Sequence, residues 1–144
     1  MEDSEDPFQL QRFIEAQQET YETALKELRA GDKQSHWMWF IFPQLAALGR
    51  SPTAQFYGIR SLQEARAFLA YPLLGERYRN SVRAILEWAD RKNAADILGA
   101  VDAMKLRSSL TLFENASGDP LFAETLEAFF ETPDEATLQL LDRA

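Results

Sequence analysis

Four of the six prolines stand directly behind an aspartate, serine or threonine: Asp6-Pro7, Ser51-Pro52, Asp119-Pro120 and Thr132-Pro133. Proline suits the first position of a helix because the amide it lacks would be unpaired there, and its φ is already helical. The residue before it offers a side-chain oxygen to the free amides of the first turn. Gln9 follows Asp6, Glu64 follows Ser61 and Glu135 follows Thr132, each at the three-residue spacing of a capping box. A chain punctuated in this way is committed to many short helices.

The apolar spacing between these marks agrees. Leu10, Phe13, Ile14, Tyr21, Leu25 and Leu28 follow steps of three, four and seven, with Ala24 in register. They predict one helix over 7–30, ended by Gly31 as a left-handed cap. A short helix or irregular turn is expected over 36–41, broken where Phe42 precedes Pro43. One more turn fits 45–48. Helices are expected over 52–57, 62–70, 73–91 and 101–115, with a short turn at Ile97 and Leu98, and two final helices begin at Pro120 and Pro133. No stretch alternates with period two, although 37–42 has the composition of a short strand. The expected fold is all-α: an irregular multi-helical single domain over 6–144 with several short helices, preceded by a disordered tail at 1–5.

With 144 residues, 46% of them apolar, the chain can bury the core of one ordinary domain. It contains no cysteine, which excludes disulfides, a thiolate nucleophile and a cysteine-based zinc site. Its single histidine, His36, excludes a multi-histidine metal centre, and no metal site is assigned. No apolar run approaches the roughly 20 residues that span a bilayer. The opening "MEDSEDPF" is acidic, unlike a signal or transit peptide, so the expected compartment is the cytoplasm, with no membrane association.

A net charge of −8 argues against general nucleic-acid binding. The total hides a pattern. Residues 1–28 carry eight acids and two bases (−6), residues 29–107 twelve bases and seven acids (+5), and residues 108–144 eight acids and one base (−7). Either the acidic ends fold over the basic middle, or the middle presents a basic surface to a small anion or an acidic partner.

The stretch "KQSHWMWFIFPQL" places two tryptophans, two phenylalanines, an isoleucine and a methionine at six consecutive positions. A helix turns by about 100° per residue, so Trp37, Phe40 and Ile41 would share a face while Trp39 and Phe42 point elsewhere. The segment is either buried all round or lends aromatic surface to a cleft. Indole N–H groups seek partners, which suits a wall with one wet edge. Histidine is the side chain suited to acid–base work near neutral pH, which makes His36 the candidate acid–base residue. Its neighbour Ser35 is adjacent in sequence, which is not the geometry of a nucleophile with its base, and there is no G-x-S-x-G elbow.

In "DAMKLRSSLTLF", Asp102, Lys105 and Ser109 lie at steps of three and four, a polar stripe apart from Leu106, Leu110 and Phe113. These residues fit an exposed ion pair with hydroxyls bonded to the preceding turn. They also fit contacts to an anionic or polyhydroxy ligand. The glycines of a P-loop are missing. Arg77, Arg79 and Arg83 follow one another along one helix, an arrangement that suits a phosphate or carboxylate ligand, or salt bridges to the acidic ends.

The segments "DPFQLQRFIEAQ", "RAGDKQSHWMWFIFPQL", "SLQEARAFLAYPLLGERYR", "DAMKLRSSLTLF" and "DEATLQLL" together resemble the family called domain of unknown function 1810, in the same order and over nearly the whole chain. The resemblance implies a small, mainly helical fold and no established activity. Motif positions carried over by it are Lys33, Ser35, His36, Trp37, Trp39, Pro43, Gln44, Glu64, Arg77, Asp102, Lys105, Ser108 and Ser109. Where relatives are expected to read His-Pro, this chain reads Tyr71-Pro72, so a mechanism needing a second histidine there is in doubt.

The expected site is therefore a pocket for a small anionic or nucleotide-like metabolite. Its ligand contacts would be Lys33, Ser35, Trp37, Trp39, Gln44, Arg77, Asp102, Lys105, Ser108 and Ser109, with His36 as the catalytic candidate. The sequence identifies no cofactor and no reaction. The alternative is a protein-interaction module with an exposed aromatic patch.

Overall fold

The computed structural model describes residues 6–143. The helices in chain order are α1 (Gln11–Gln18), α2 (Tyr21–Ala30), α3 (Met38–Ile41), α4 (Pro52–Phe56), α5 (Leu62–Ala70), α6 (Pro72–Leu86), α7 (Ala94–Leu98), α8 (Ala100–Ser117), α9 (Pro120–Phe129) and α10 (Glu135–Arg143), with a 3-10 turn at Ala46–Leu48. Among the described residues there is no strand, only an isolated parallel bridge between Leu45 and Ile59. The fold is an all-α, multi-helical single domain, and the strand-like composition of 37–42 gives way to α3. The tail expected to be disordered, 1–5, lies outside the described residues. No described helix is long and apolar enough to cross a membrane.

Tyr78 on α6 stands at the centre of the core. Its ring lies 4.5 Å from Phe113 of α8, 5.2 Å from Phe122 of α9, 5.7 Å from Phe42 and 6.2 Å from Phe68 of α5. Each such fully buried ring contributes roughly 1.5–3 kcal/mol relative to exposure. The corner between α5 and α6 depends on Gly75, where a Cβ would meet the Leu69 carbonyl oxygen at 2.1 Å.

The expected helix over 7–30 is two helices. Gln9 has a left-handed φ of 57°, so α1 cannot begin at Pro7, and Asp6 instead accepts from the N–H groups of Leu10 and Gln11. The chain then steps at Thr20, whose N–H reaches back only three residues to Gln17. The polar run 17–20 offers nothing to the apolar stripe, and the step lets the buried Gln17 amide donate to the Phe40 carbonyl at 2.7 Å. The helix expected over 73–91 stops at Leu86 because the next amides bond three residues back, Trp88 to Ile85 and Ala89 to Leu86. That tightening seats Trp88 against Gly31, with its indole N–H on the Leu28 carbonyl at 3.1 Å.

Ser51 and Asp119 cap their helices as their prolines imply. Thr132 does not: Asp134 accepts from the Thr137 amide and hydroxyl and starts α10. Asn93 and Asp96 form a full capping box at α7, which the proline pattern does not mark.

Candidate functional site

The chain leaves α2 through the left-handed Gly31 and loops over 32–37 before α3. One side chain shapes that loop. Glu27, in the last turn of α2, accepts from the amides of Gln34 (2.9 Å) and Ser35 (3.0 Å), the Ser35 hydroxyl (2.6 Å) and the Trp37 indole (2.8 Å). The helix dipole opposes an anion at this end, so the carboxylate needs those donors. Burial alone would raise its pKa. The bonds from the Ser35 hydroxyl, the Gln34 amide, the Trp37 indole and the Ser35 amide outweigh burial and lower it to about 2.

The loop carries Lys33 to the start of α8. Its backbone N–H donates to the Ile97 carbonyl at 2.8 Å. Its Nζ donates to the Ser35 carbonyl at 2.6 Å and pairs with Asp102 at 2.9 Å. Asp102 lies in the first turn of α8, where the dipole favours a carboxylate. Its other oxygen stands 3.7 Å from Lys105 Nζ. Lys33 lies 5.0 Å from the Trp37 ring centre and Lys105 lies 5.6 Å from that of Trp39, both within cation–π range.

The two indoles differ. Trp37 is fully buried and its N–H is held by Glu27. Trp39 is half-buried, and its N–H has no acceptor among the described residues. Met38, Phe40, Ile41 and Phe42 are buried, so the aromatic run is core on every side but Trp39. His36 is exposed in the loop just before α3 and has no hydrogen-bond partner among the described residues.

The structure thus places Lys33, Ser35, His36, Trp37, Trp39, Asp102 and Lys105 on or against one loop. The other candidates stand apart. Ser109 is fully buried and its hydroxyl bonds the Tyr78 hydroxyl at 2.8 Å, inside the aromatic core. Burial there drives the Tyr78 phenol upward, against the Ser109 bond. Ser108 donates back to the Met104 carbonyl at 3.2 Å. Arg77 lies over the Tyr21 ring at 4.7 Å and reaches Gln17. The half-buried Gln44 accepts from the Ile59 amide with its backbone carbonyl.

Glu64 is more than a cap. Its amide is held by Ser61, but its carboxylate passes over Ser61 and accepts from the Arg60 amide at 3.0 Å. The other oxygen pairs with Arg12, and both side chains are buried. Arg12 directs its remaining donors to the carbonyls of Phe8, Gln9, Phe56 and Gly58. All five guanidinium hydrogens are engaged.

Sequence reasoning missed Glu27 and Arg12 as organising residues. One signal was available for Glu27: a carboxylate in the last turn of a helix is unfavourable unless something compensates it. Among the described residues, no three His, Asp or Glu side chains converge as a metal site would require. Only one ion pair among them, Arg79–Asp119 at 2.9 Å, joins the basic middle of the chain to its acidic C-terminal part. The Arg79 guanidinium holds the Asp119 carboxyl below its ordinary range, against burial.

The arrangement has a known structural counterpart. The crystal structure of Rv1873, a conserved hypothetical protein from Mycobacterium tuberculosis, is similar to this chain with a TM-score of 0.92 and 42% identity, over 95% of this chain and 99% of that one. No curated protein matches the chain. The family model described as protein of unknown function DUF1810 matches residues 7–141, and the chain belongs to that family.

Proposed function

We propose that this protein binds a small organic anion bearing a flat ring, at the rim formed by Trp39, Lys105 and His36. One observation carries the reading: two lysines from distant parts of the chain meet on a single carboxylate, Asp102, beside a half-buried indole. Two ammonium groups share that carboxylate, while the loop's other carboxylate, Glu27, is taken up by the Gln34 and Ser35 amides, the Ser35 hydroxyl and the Trp37 indole. Lys33 is largely buried and held by Ser35 and Asp102, so it positions the aspartate. Lys105 is more exposed and its contact with Asp102 is longer, so it is the group able to turn toward a phosphate or carboxylate. Trp39 offers a ring for stacking and an N–H for a polar edge. His36, three residues before Trp39, has no hydrogen-bonded ring nitrogen among the described residues and is the acid–base group if a reaction occurs.

Isothermal titration calorimetry with adenosine monophosphate as probe tests this reading. It expects binding by the wild-type chain and a loss of about tenfold or more in Trp39→Ala and in Lys105→Ala, the scale of one charge-assisted hydrogen bond. No binding by the wild type, or affinities unchanged in both variants, contradicts it.

A specific feature favours a second reading. Val101 and Met104 are exposed at 70% and 55% on α8, next to Asp102 and Lys105. Apolar surface flanking Asp102 and Lys105 would suit a partner protein. Light scattering that shows a monomer, together with no captured partner, argues against it.

A further inference from the structure

A hollow of about 500 Å³ opens between the last turn of α2 and the end of α6, with Arg29, Asn80, Arg83, Glu87, Trp88 and Arg91 in its lining. Its size falls within the range of small-molecule sites, roughly 300–1,000 Å³. Three guanidinium groups face one space, and among the described residues none of the three has a carboxylate within 4.0 Å. That sets them apart from Arg79, one turn before Arg83 on α6, which is neutralised by Asp119. Like charges gathered around a hollow repel one another, and an anion bound between them relieves that repulsion.

The walls are held in place. Trp88 is fixed by its bond to the Leu28 carbonyl and by close contact with Gly31, where a Cβ would lie 2.7 Å from the ring. Arg91 lies over the Trp88 ring at 4.2 Å and donates to the Glu87 carbonyl at 3.3 Å. Arg83 donates to the Asn80 side chain at 3.2 Å. Each arginine keeps further donors free, since a guanidinium carries five. The planar fork of arginine matches the oxygens of a phosphate.

Glu87 decides which anion fits. A carboxylate on the wall opposes a bare polyanion, such as a polyphosphate or a nucleic-acid backbone. It accepts hydrogen bonds from hydroxyl groups, and the Asn80 amide can do the same or donate. We propose that this hollow binds the phosphate monoester of a polyhydroxy compound. Arg29 and Arg83 take the phosphate, and Glu87 and Asn80 take the hydroxyls. The site is separate from the Trp39 rim and does not depend on it.

The test is calorimetry on the full chain at low salt, with glucose 6-phosphate, inorganic phosphate and glucose as probes. Glucose 6-phosphate is expected to bind, inorganic phosphate to bind about tenfold more weakly or less, and glucose to give no heat. Arg29→Ala and Arg83→Ala, both at exposed positions, should each reduce affinity for glucose 6-phosphate about tenfold. Glu87→Gln should weaken glucose 6-phosphate without weakening phosphate. No binding of glucose 6-phosphate at millimolar concentration overturns the proposal. So does an affinity unmoved in both arginine variants, which places binding elsewhere. Phosphate binding as tightly as the sugar phosphate overturns the role given to Glu87.

Discussion

Glu64 and Glu27 are two carboxylates that hold the first half of the chain in place, and they are satisfied in opposite ways. Glu64 is buried against the charge of Arg12, whose every hydrogen is engaged. Glu27 is half-buried and held by two amides, a hydroxyl and an indole, none of them charged. The first region is a closed clamp with no capacity left for a ligand. The second fixes the loop while leaving Trp39, Lys105 and His36 at the surface with polar atoms to spare. Strong polar contacts alone therefore do not mark a site; unfilled hydrogen-bonding capacity beside them does.

The largest expected effect breaks the clamp. Arg12→Ala leaves the buried Glu64 with only the outlying Arg60 at 3.5 Å, and urea unfolding should show a loss of about 3–5 kcal/mol. Adding Glu64→Gln to that variant should recover part of the loss, because it removes a buried charge that has lost its close partner. A loss no greater than that of an exposed arginine would mean the clamp does not hold α1 to α5.

Breaking the loop should cost less. Glu27→Gln replaces an acceptor of four hydrogen bonds by a group that must donate with one atom, a loss of about 1–3 kcal/mol. The pH dependence has a definite sign. Folding lowers the Glu27 pKa to about 2, so its contribution is complete above the ordinary carboxylate range and is lost as pH falls toward about 2. The wild type should lose stability over that window, and Glu27→Gln should lose less of it. Identical pH profiles would remove Glu27 from its role.

A neutral pair sets the scale below these. Tyr78→Phe removes the bond to Ser109 from the core while keeping the ring, and should cost about 1 kcal/mol in the same assay. The smallest effect on stability is expected at the rim. Lys105→Ala should stay within about 1 kcal/mol of the wild type, since its 3.7 Å contact with Asp102 is long and partly solvated, while binding of adenosine monophosphate falls. If it unfolds the protein as Arg12→Ala does, the rim is scaffold and the contrast between the two regions disappears.

Much of the scaffold was legible because its signals are local. Ser51-Pro52, Asp119-Pro120 and Ser61 state their helix starts within a few residues, and α5 spans the expected 62–70. Asp6 and Thr132 misled because a cap depends on backbone the side chains do not encode: Gln9 turns left-handed, and Asp134 sits closer to its helix than Thr132. The site was legible in part. Lys33, Asp102 and Lys105 stood among the candidates, but nothing in the spacing said that one aspartate would hold both lysines. Glu27 was hidden because all four of its donors belong to a loop whose path only the fold defines. Of the arginine hollow, Arg83 belonged to a visible cluster, whereas Arg29 and Arg91 join it from other segments.

The three tryptophans allow the central claim to be read in one experiment. Each gives one indole N–H signal in a ¹H–¹⁵N correlation spectrum. Trp37 is bonded to Glu27 and Trp88 to the Leu28 carbonyl, while Trp39 is unbonded among the described residues. Titration with adenosine monophosphate should move the Trp39 signal and leave that of Trp37 in place, whereas Trp88 reports the separate arginine hollow. A Trp39 signal that stays fixed at saturating ligand, or a larger shift at Trp37, would contradict the assignment of the rim as the binding site.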